Sequence, residues 1–121
     1  MAEKPIAVTG AAGFVGRHLV AFLRKKGIPV RVLLHRSTPE FGGGVEILRG
    51  SITDFTKVRR LVDNCSRVFH LAGALGMRLL SDKDFYHINV EGSRILMEEA
   101  RRAGVEKVVH FSSAGVYGKN P

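Results

Sequence analysis

The sequence predicts an α/β fold in which about five parallel strands form one doubly wound sheet. Short apolar runs rich in β-branched residues alternate with longer stretches of helical spacing, and a glycine-rich turn follows the first run. No internal repeat or linker divides the 121 residues, so we expect one small domain over residues 1–121. Right-handed crossovers between such strands favour the strand order 3-2-1-4-5.

The first strand and the first helix flank the glycine-rich turn. Residues 5–9 are apolar and β-branched, which is typical of a buried parallel strand. Helical spacing then begins, with apolar positions at Val15, Leu19, Phe22 and Leu23. Basic residues at 24–26 suit the negative end of a helix dipole, and Gly27 is a typical stop. The glycines therefore lie between a strand and a helix.

The remaining elements continue the alternation. Further strands are predicted over Val30–His35, Val45–Arg49, Arg67–Leu71 and Lys107–Ser112. A short helix is predicted over Asp54–Val62, capped by Thr53. A long helix is predicted over Asp82–Ala103, between Ser81 as its cap and Gly104 as its stop. Its inner face should consist of Phe85, Ile88, Gly92, Ile95 and Leu96.

Composition and charge do not favour a nucleic-acid-binding, disulfide-bonded, secreted or membrane protein. The net charge is +8, but the basic residues are scattered in pairs and triplets at expected helix ends, which does not favour nucleic-acid binding. The single cysteine, Cys65, excludes an internal disulfide and fits a small buried hydrophobe in a reducing compartment. We expect no membrane partner, because no apolar stretch approaches the ~18 residues that a membrane helix needs. We expect a cytoplasmic protein, because the first strand starts near Met1 and leaves no room for a signal peptide.

The histidines do not form a metal-binding pattern. None of the five belongs to an HExxH sequence or stands near paired cysteines, so no metal site is predicted. We interpret His70 and His110 as strand residues.

The glycine-rich turn reads Thr9-Gly10-Ala11-Ala12-Gly13-Phe14-Val15-Gly16. In a strand-to-helix turn, Gly10 allows the tight turn and Gly13 lets the backbone approach a pyrophosphate, while Gly16 lets the helix pack on the strand. The free N–H groups of the first helical turn then face the phosphates. This is the fingerprint of a Rossmann-type dinucleotide site, although glycines that serve backbone geometry alone would leave the same pattern.

Five motifs in order resemble the extended short-chain dehydrogenase/reductase family. They are Thr9-Gly10-x-x-Gly13-x-x-Gly16, Arg49-Gly50-Ser51-Ile52-Thr53-Asp54, Val68-Phe69-His70-Leu71-Ala72-Gly73, Asn89-Val90-x-Gly92 and Ser112-Ser113-x-x-Val116-Tyr117-Gly118. The family includes NAD(P)-dependent sugar epimerases and dehydratases and dihydroflavonol-reductase-like enzymes. The resemblance covers the whole chain, but only the amino-terminal part of such an enzyme.

The resemblance implies a set of cofactor-binding residues. Phe14 and Val15 would give backbone contacts to the pyrophosphate, and Asn89 would organise the site. Ser51 and Ile52 would lie by the adenine, at a place where the family usually has an acid at position 51. The segment that would line the nicotinamide-side ribose is Leu71, Ala72 and Gly73.

The resemblance also implies a catalytic residue, Ser113, four residues before Tyr117. Its hydroxyl would donate a hydrogen bond to a reacting substrate oxygen, and only in a complete enzyme. Closing the strand with an ST-turn is the structural alternative. Tyr117 is not the family's catalytic tyrosine, since Pro121 stands where the partner lysine would be. The Tyr/Lys helix and the substrate domain are therefore absent from this chain, which should not turn over substrate alone.

The end of the second strand favours NADP(H) over NAD(H). NAD-specific sites place an acid there to accept from the ribose 2′-hydroxyl, whereas this chain reads Leu34-His35-Arg36-Ser37. Arg36 can bind a 2′-phosphate in bidentate fashion. A solvated arginine after a strand is the alternative.

Two functions fit the sequence. The first is the cofactor-binding part of an epimerase, dehydratase or reductase that moves hydride to or from a sugar nucleotide or another hydroxyl or carbonyl substrate. The second is a non-catalytic dinucleotide-binding or redox-sensing module. The fifth strand should be an apolar sheet edge, which a homo-oligomer would cover.

Overall fold

The computed structural model describes residues 3–37, 39–73 and 81–112. The strands are β1 (Ile6–Thr9), β2 (Val30–Leu34), β3 (Val45–Arg49), β4 (Arg67–His70) and β5 (Lys107–His110). The helices are α1 (Phe14–Lys25), α2 (Phe55–Val62), α3 (Asp82–Tyr86) and α4 (Gly92–Arg102). A π-helical segment, His87–Glu91, joins α3 to α4 and is called the π turn below.

All five strands are parallel and follow the order β3-β2-β1-β4-β5, which confirms the predicted fold class and topology. The central strand β1 pairs with β2 on one side and β4 on the other, so that Thr9 lies opposite both Leu33 and His70. The chain adds β2 and β3 on one side of β1 and then crosses over to add β4 and β5 on the other side. The strand order therefore reverses between β1 and β4, and their carboxyl ends form the switch point at which ligands bind in such sheets.

The core fills both faces of the sheet. On the face covered by α1, the buried apolar residues are Ile6, Val8, Ala11, Val20, Leu23, Val30, Val32 and Leu34. On the face covered by α2 and α4, they are Ala7, Leu33, Leu48, Ile52, Val58, Leu61, Val62, Cys65, Val68 and Leu96. Because β1 and β2 are covered on both faces, they are nearly continuous apolar runs rather than alternating ones.

Helix α1 matches its predicted extent but not every predicted apolar contact. It ends two residues before Gly27, and its buried residues are Gly16, Val20 and Leu23. Val15 and Phe22 are exposed, although their spacing suits a helix. Phe22 lies beneath the ammonium group of Lys26, 5.1 Å from the ring centroid.

The predicted cap of α2 was wrong by one residue. Asp54, not Thr53, is the N-cap, and its Oδ1 accepts a hydrogen bond from the N–H of Thr56 at 3.0 Å. The Thr53 hydroxyl is paired with the Ser51 hydroxyl at 2.7 Å, in the turn that precedes the helix. Both residue types are good caps, and the hydrogen bonds of this turn decide which of them reaches the helix.

The predicted long helix is helical over its length but is not a uniform α-helix. The N–H of Gly92 donates to the carbonyl of His87, five residues earlier, within the π turn. Gly92 and Leu96 are buried as predicted, and the side chains of Ile88 and Ile95 pack against the core cluster. The apolar spacing contains no signal for a single wider turn, so the sequence pattern could not reveal it.

Three strands end earlier than predicted, and the single cysteine is buried. Strands β2 and β4 end one residue earlier than predicted, and β5 ends two residues earlier. Cys65 is buried, its thiol donates to the carbonyl of Leu61 at 3.2 Å, and burial raises its pKa to about 11. Such a thiol is an inert core group.

Candidate functional site

The turn between β1 and α1 requires glycine at position 10. Gly10 has φ +69°, in the left-handed region, and a Cβ there would lie 2.7 Å from the carbonyl carbon of Leu71. The absence of a side chain therefore allows the end of β1 and the end of β4 to approach each other.

The other two glycines of the turn differ in their surroundings. A Cβ at Gly16 would collide with the carbonyl oxygen of Gly10 and lie 2.7 Å from the Cα of Ala11. A Cβ at Gly13 would contact only the Gly10 oxygen, at 3.4 Å, and Gly13 is exposed. Gly16 thus permits close packing of α1 on the turn, whereas Gly13 leaves open space in front of the helix.

The amino terminus of α1 lacks the usual stabilising groups. Gly13 is the N-cap, no side chain caps the helix, and no acid lies in its first turn. Phe14 is 73% exposed and Val15 is also exposed, so the first turn faces solvent. N–H groups of a first turn have no partner within the helix, and together with the helix dipole they favour a bound anion. This end of α1 can accept a phosphate.

Positive charge lies beyond β2 at the same edge of the sheet. Arg36 is exposed, and it forms no hydrogen bond or ion pair within residues 3–37, 39–73 and 81–112. Next to it, Nη1 of Arg49 donates to the carbonyl of Ser37 at 2.8 Å and holds the backbone that follows β2. Arg36 is therefore available for an anionic ligand.

The predicted adenine-contact residues lie after β3. The Ser51 hydroxyl is paired with Thr53 and also accepts from the Thr53 N–H at 3.1 Å. The Ile52 side chain is 8% exposed and packs in the core against Gly92. A Cβ added to Gly92 would lie 2.9 Å from Cγ2 of Ile52. A contact between residue 52 and an adenine would therefore involve its backbone more than its side chain.

A buried polar network that the sequence interpretation missed joins β1, β4 and α4. The Thr9 hydroxyl lies 2.7 Å from Nδ1 of His70, and Nε2 of His70 lies 2.9 Å from the Ser93 hydroxyl. The Thr9 hydroxyl also accepts from the N–H groups of Leu71 and Ala72, each at 3.0 Å. His70 is a strand residue as predicted, but its partners are 61 residues before it and 23 residues after it. The only sequence signal for this network is that the apolar strands β1 and β4 each end in a polar residue, Thr9 and His70.

The predicted ribose segment and Asn89 lie close together. A Cβ on Gly73 would be 3.3 Å from Oδ1 of Asn89, and the Asn89 carbonyl accepts from the Ser93 hydroxyl at 2.7 Å. The structure thus brings Gly10, Leu71, Ala72, Gly73 and Asn89 to one side of the switch point, with Gly13 and the start of α1 in front of it. Their predicted roles remain predictions. Ser113 and Tyr117 lie outside the described residues.

The structure also contains an open cavity away from the glycine-rich turn. An open cavity of about 530 Å³ lies at the amino ends of the strands, opposite the glycine-rich turn, and is lined by Glu3, Arg24, Gly27, Ile28, Pro29, Gly43 and Gly44. Residues 3–37, 39–73 and 81–112 contain no group of three His, Cys, Asp or Glu side chains that could hold a metal ion. No helix in these ranges is long and apolar enough to span a membrane.

Known proteins are similar to this chain in sequence and in fold. The model of the NAD dependent epimerase/dehydratase family matches residues 6–121. Sterol demethylase protein B of Methylococcus capsulatus is 38% identical over 117 residues, which cover 94% of this chain and 36% of that protein. UDP-glucose 4-epimerase of Neisseria meningitidis serogroup C is 38% identical over 129 residues, covering 95% of this chain and 38% of that protein.

Solved structures extend the likeness to three dimensions. MoeE5 in complex with UDP-glucuronic acid and NAD has a TM-score of 0.86 at 38% identity, covering 97% of this chain and 39% of that one. A short-chain dehydrogenase/reductase superfamily protein from Agrobacterium tumefaciens with bound NAD has a TM-score of 0.83 at 36% identity, covering 96% of this chain and 34% of that one.

The chain spans little more than a third of the length of these relatives. The family model nevertheless matches nearly the whole chain, including the glycine-rich turn and all five strands. The chain therefore belongs to the NAD dependent epimerase/dehydratase family.

Proposed function

We propose that this chain is the dinucleotide-binding part of an NAD(P)-dependent epimerase, dehydratase or reductase. The observation that carries the proposal is the uncapped, acid-free amino terminus of α1, which follows Gly13 at the switch point of the sheet. The N–H groups of this turn would hold the pyrophosphate. The segment from Leu71 to Gly73, together with Asn89, would contact the nicotinamide half.

Hydride transfer is the reaction that the bound nicotinamide would supply. The similar MoeE5 structure carries UDP-glucuronic acid with NAD, which supports a sugar nucleotide as the substrate class here. In a complete enzyme, Ser113 would donate a hydrogen bond to the reacting oxygen of the substrate. We also propose that residues 1–121 are the amino-terminal part of the nucleotide-binding domain, and that the Tyr/Lys pair belongs to a helix beyond it.

Gly13→Asp is the sharpest test of dinucleotide binding. Aspartate is a good N-cap, so thermal stability should be kept or slightly raised. A carboxylate in front of α1 would nevertheless repel the pyrophosphate, and affinity for NAD and NADP should fall at least about tenfold in equilibrium titration. Gly43→Asp is the matched control, because a Cβ at Gly43 has no atom within 4 Å and lies at the opposite edge of the sheet. Equal affinities of the two variants would refute the proposal.

We further propose that the site prefers NADP(H) over NAD(H). Arg36 is exposed after β2 and has no partner within the described ranges, and residues 35–37 include no acid to bind a ribose 2′-hydroxyl. A 2′-phosphate there would receive a bidentate hydrogen bond from the guanidinium group.

Arg36→Ala should weaken NADP binding about tenfold or more and leave NAD binding within about twofold, because charge-assisted pairs are the strong ones. Arg67→Ala removes the same charge from an exposed position at the start of β4, at the other end of the sheet, and should change neither affinity. Isothermal titration of both variants with both cofactors measures the difference. Binding of NAD as tight as that of NADP, unaffected by Arg36→Ala, would contradict the preference.

The second candidate is a non-catalytic dinucleotide-binding or redox-sensing module, and β5 gives it a specific test. This strand lies at the edge of the sheet, and Val108 and Val109 are half-buried. A natural short module would cover this edge with a second copy and form a stable homo-oligomer. Sedimentation of the 121-residue chain separates the two candidates: a stable dimer favours the module, and an aggregating monomer favours a part of a larger enzyme.

A further inference from the structure

The Thr9 hydroxyl has one arrangement of its proton that satisfies all its neighbours. Its oxygen already accepts from the N–H groups of Leu71 and Ala72 at 3.0 Å each, which uses both lone pairs. The hydroxyl proton is therefore donated to Nδ1 of His70, 2.7 Å away. Thr9 is 1% exposed, so water does not compete for these bonds.

The other side of the His70 ring is fixed in the same way. The Ser93 hydroxyl donates to the carbonyl of Asn89 at 2.7 Å and is left to accept a proton from Nε2 of His70 at 2.9 Å. His70 is thus the neutral tautomer with its proton on Nε2. Burial, and secondarily the nearby His110, lowers the pKa of His70 to about 4, which keeps the ring neutral.

The result is a directional chain of hydrogen bonds between two parts of the site. It runs from the backbone of Leu71 and Ala72 through Thr9, His70 and Ser93 to the π turn, which carries Asn89. The Asn89 side chain in turn approaches Gly73. Among the described residues, every buried side-chain nitrogen or oxygen has a hydrogen-bond partner. The polar groups of this network are therefore all paired.

The sheet topology indicates which half of a bound dinucleotide would lie near these hydrogen bonds. Strand β4 and β2 flank β1 on opposite sides. A dinucleotide with its phosphates at α1 and its 2′-phosphate at Arg36, after β2, must extend its other half over the end of β4. The hydrogen bonds of Thr9, His70 and Ser93 join β1, β4 and α4, so they would lie nearer to that half than to the adenine half.

We propose that His70, held as the Nε2–H tautomer between Thr9 and Ser93, is a positioning residue that locks the 71–73 backbone to the π turn and so sets affinity for the nicotinamide half of the cofactor. This inference rests on the proposed dinucleotide function. It assigns His70 no contact with cofactor or substrate.

The test compares Thr9→Val with Thr9→Ser, using NADP and adenosine 2′,5′-bisphosphate as ligands. Valine keeps the shape of threonine but removes the hydroxyl, and serine keeps the hydroxyl. We expect Thr9→Val to weaken NADP binding about tenfold and to leave the affinity for the bisphosphate unchanged. We expect Thr9→Ser to bind NADP as tightly as the wild type. Equal loss for both ligands, or no loss for either, would overturn the inference. A wild-type protein that binds neither NADP nor NAD would instead overturn the proposed function itself.

A second measurement reads the protonation of the His70 ring in the wild-type protein. The ¹⁵N chemical shifts of the wild-type His70 ring, assigned by their loss in His70→Gln, report which ring nitrogen carries the proton. A protonated Nε2 and an unprotonated Nδ1 at pH 7 are expected. A proton on Nδ1 would refute the hydrogen-bond chain whatever the cofactor result.

Discussion

Gly16→Ala is expected to lower the free energy of unfolding by about 3 kcal/mol, the upper end of the cost of overpacking a core. The new Cβ would meet the Gly10 carbonyl oxygen and lie 2.7 Å from the Ala11 Cα. Both neighbours are backbone atoms and cannot rotate away, so α1 must shift relative to the turn. Urea denaturation monitored by circular dichroism measures the loss.

The same substitution at a glycine with free space serves as the control. Gly43→Ala adds a Cβ with no atom within 4 Å and at an ordinary φ, so its stability should stay within about 0.5 kcal/mol of wild type. If Gly16→Ala were as stable as Gly43→Ala, α1 would not pack on the turn as described. A shift of α1 also moves its amino terminus, so dinucleotide affinity should fall together with stability.

Acid should destabilise the protein through His70, with a loss that reaches about 3 kcal/mol by pH 4. Burial lowers the pKa of this histidine from 6.5 to about 4, so between these values the unfolded chain binds a proton that the folded chain does not. Stability contributed by the neutral ring is fully present above pH 6.5 and is lost as the pH falls. Protonation would also force Nδ1 to donate to a Thr9 hydroxyl that has no lone pair left.

Denaturation midpoints measured from pH 7 to pH 4.5 would show this effect separately from the carboxylates. Asp54 and Glu99 have lowered pKa values, through the Thr56 hydroxyl and Arg59 respectively, so their contributions fade only below the ordinary values of 3.8 and 4.5. His70→Gln should flatten the profile in this window even if it is less stable throughout. His110→Gln removes an exposed neighbour, 5.2 Å away between ring centroids, and should keep most of the slope. An unchanged slope in His70→Gln would rule out a buried neutral histidine.

Local sequence was sufficient to predict the fold class, the strand order and the position of the glycine-rich turn. Apolar runs such as those of β1 and β2 must be buried on both faces, and alternation with helices leaves few topologies for a parallel sheet. Gly10 and Gly16 were predictable because a turn of this type needs backbone that no side chain obstructs. The exposed position of Arg36, two residues after β2, was predictable because it follows a strand, and its binding of a 2′-phosphate stays a prediction.

Side-chain partnerships were not predictable, because they join residues that are far apart in the sequence. The side chain of Ile52 packs against Gly92 of α4, forty positions later, and the expected contact of residue 52 with an adenine stays a prediction. Arg31, in β2, donates to the carbonyls of Arg60, Leu61 and Asp63, where α2 ends. Neither contact can be predicted from apolar periodicity, because both depend on which helix covers which strand.

The sequence by itself therefore determined the order of elements, the position of the glycine-rich turn and the family to which the chain belongs. Only the tertiary structure decided the tautomer of His70, the link from Thr9 to Ser93 and the π turn that carries Asn89. The physical reason is the range of the forces. Backbone conformation and apolar periodicity act between neighbours along the chain, whereas a buried hydrogen bond needs its partner from another element, and unsatisfied polar groups in a core are too costly to leave.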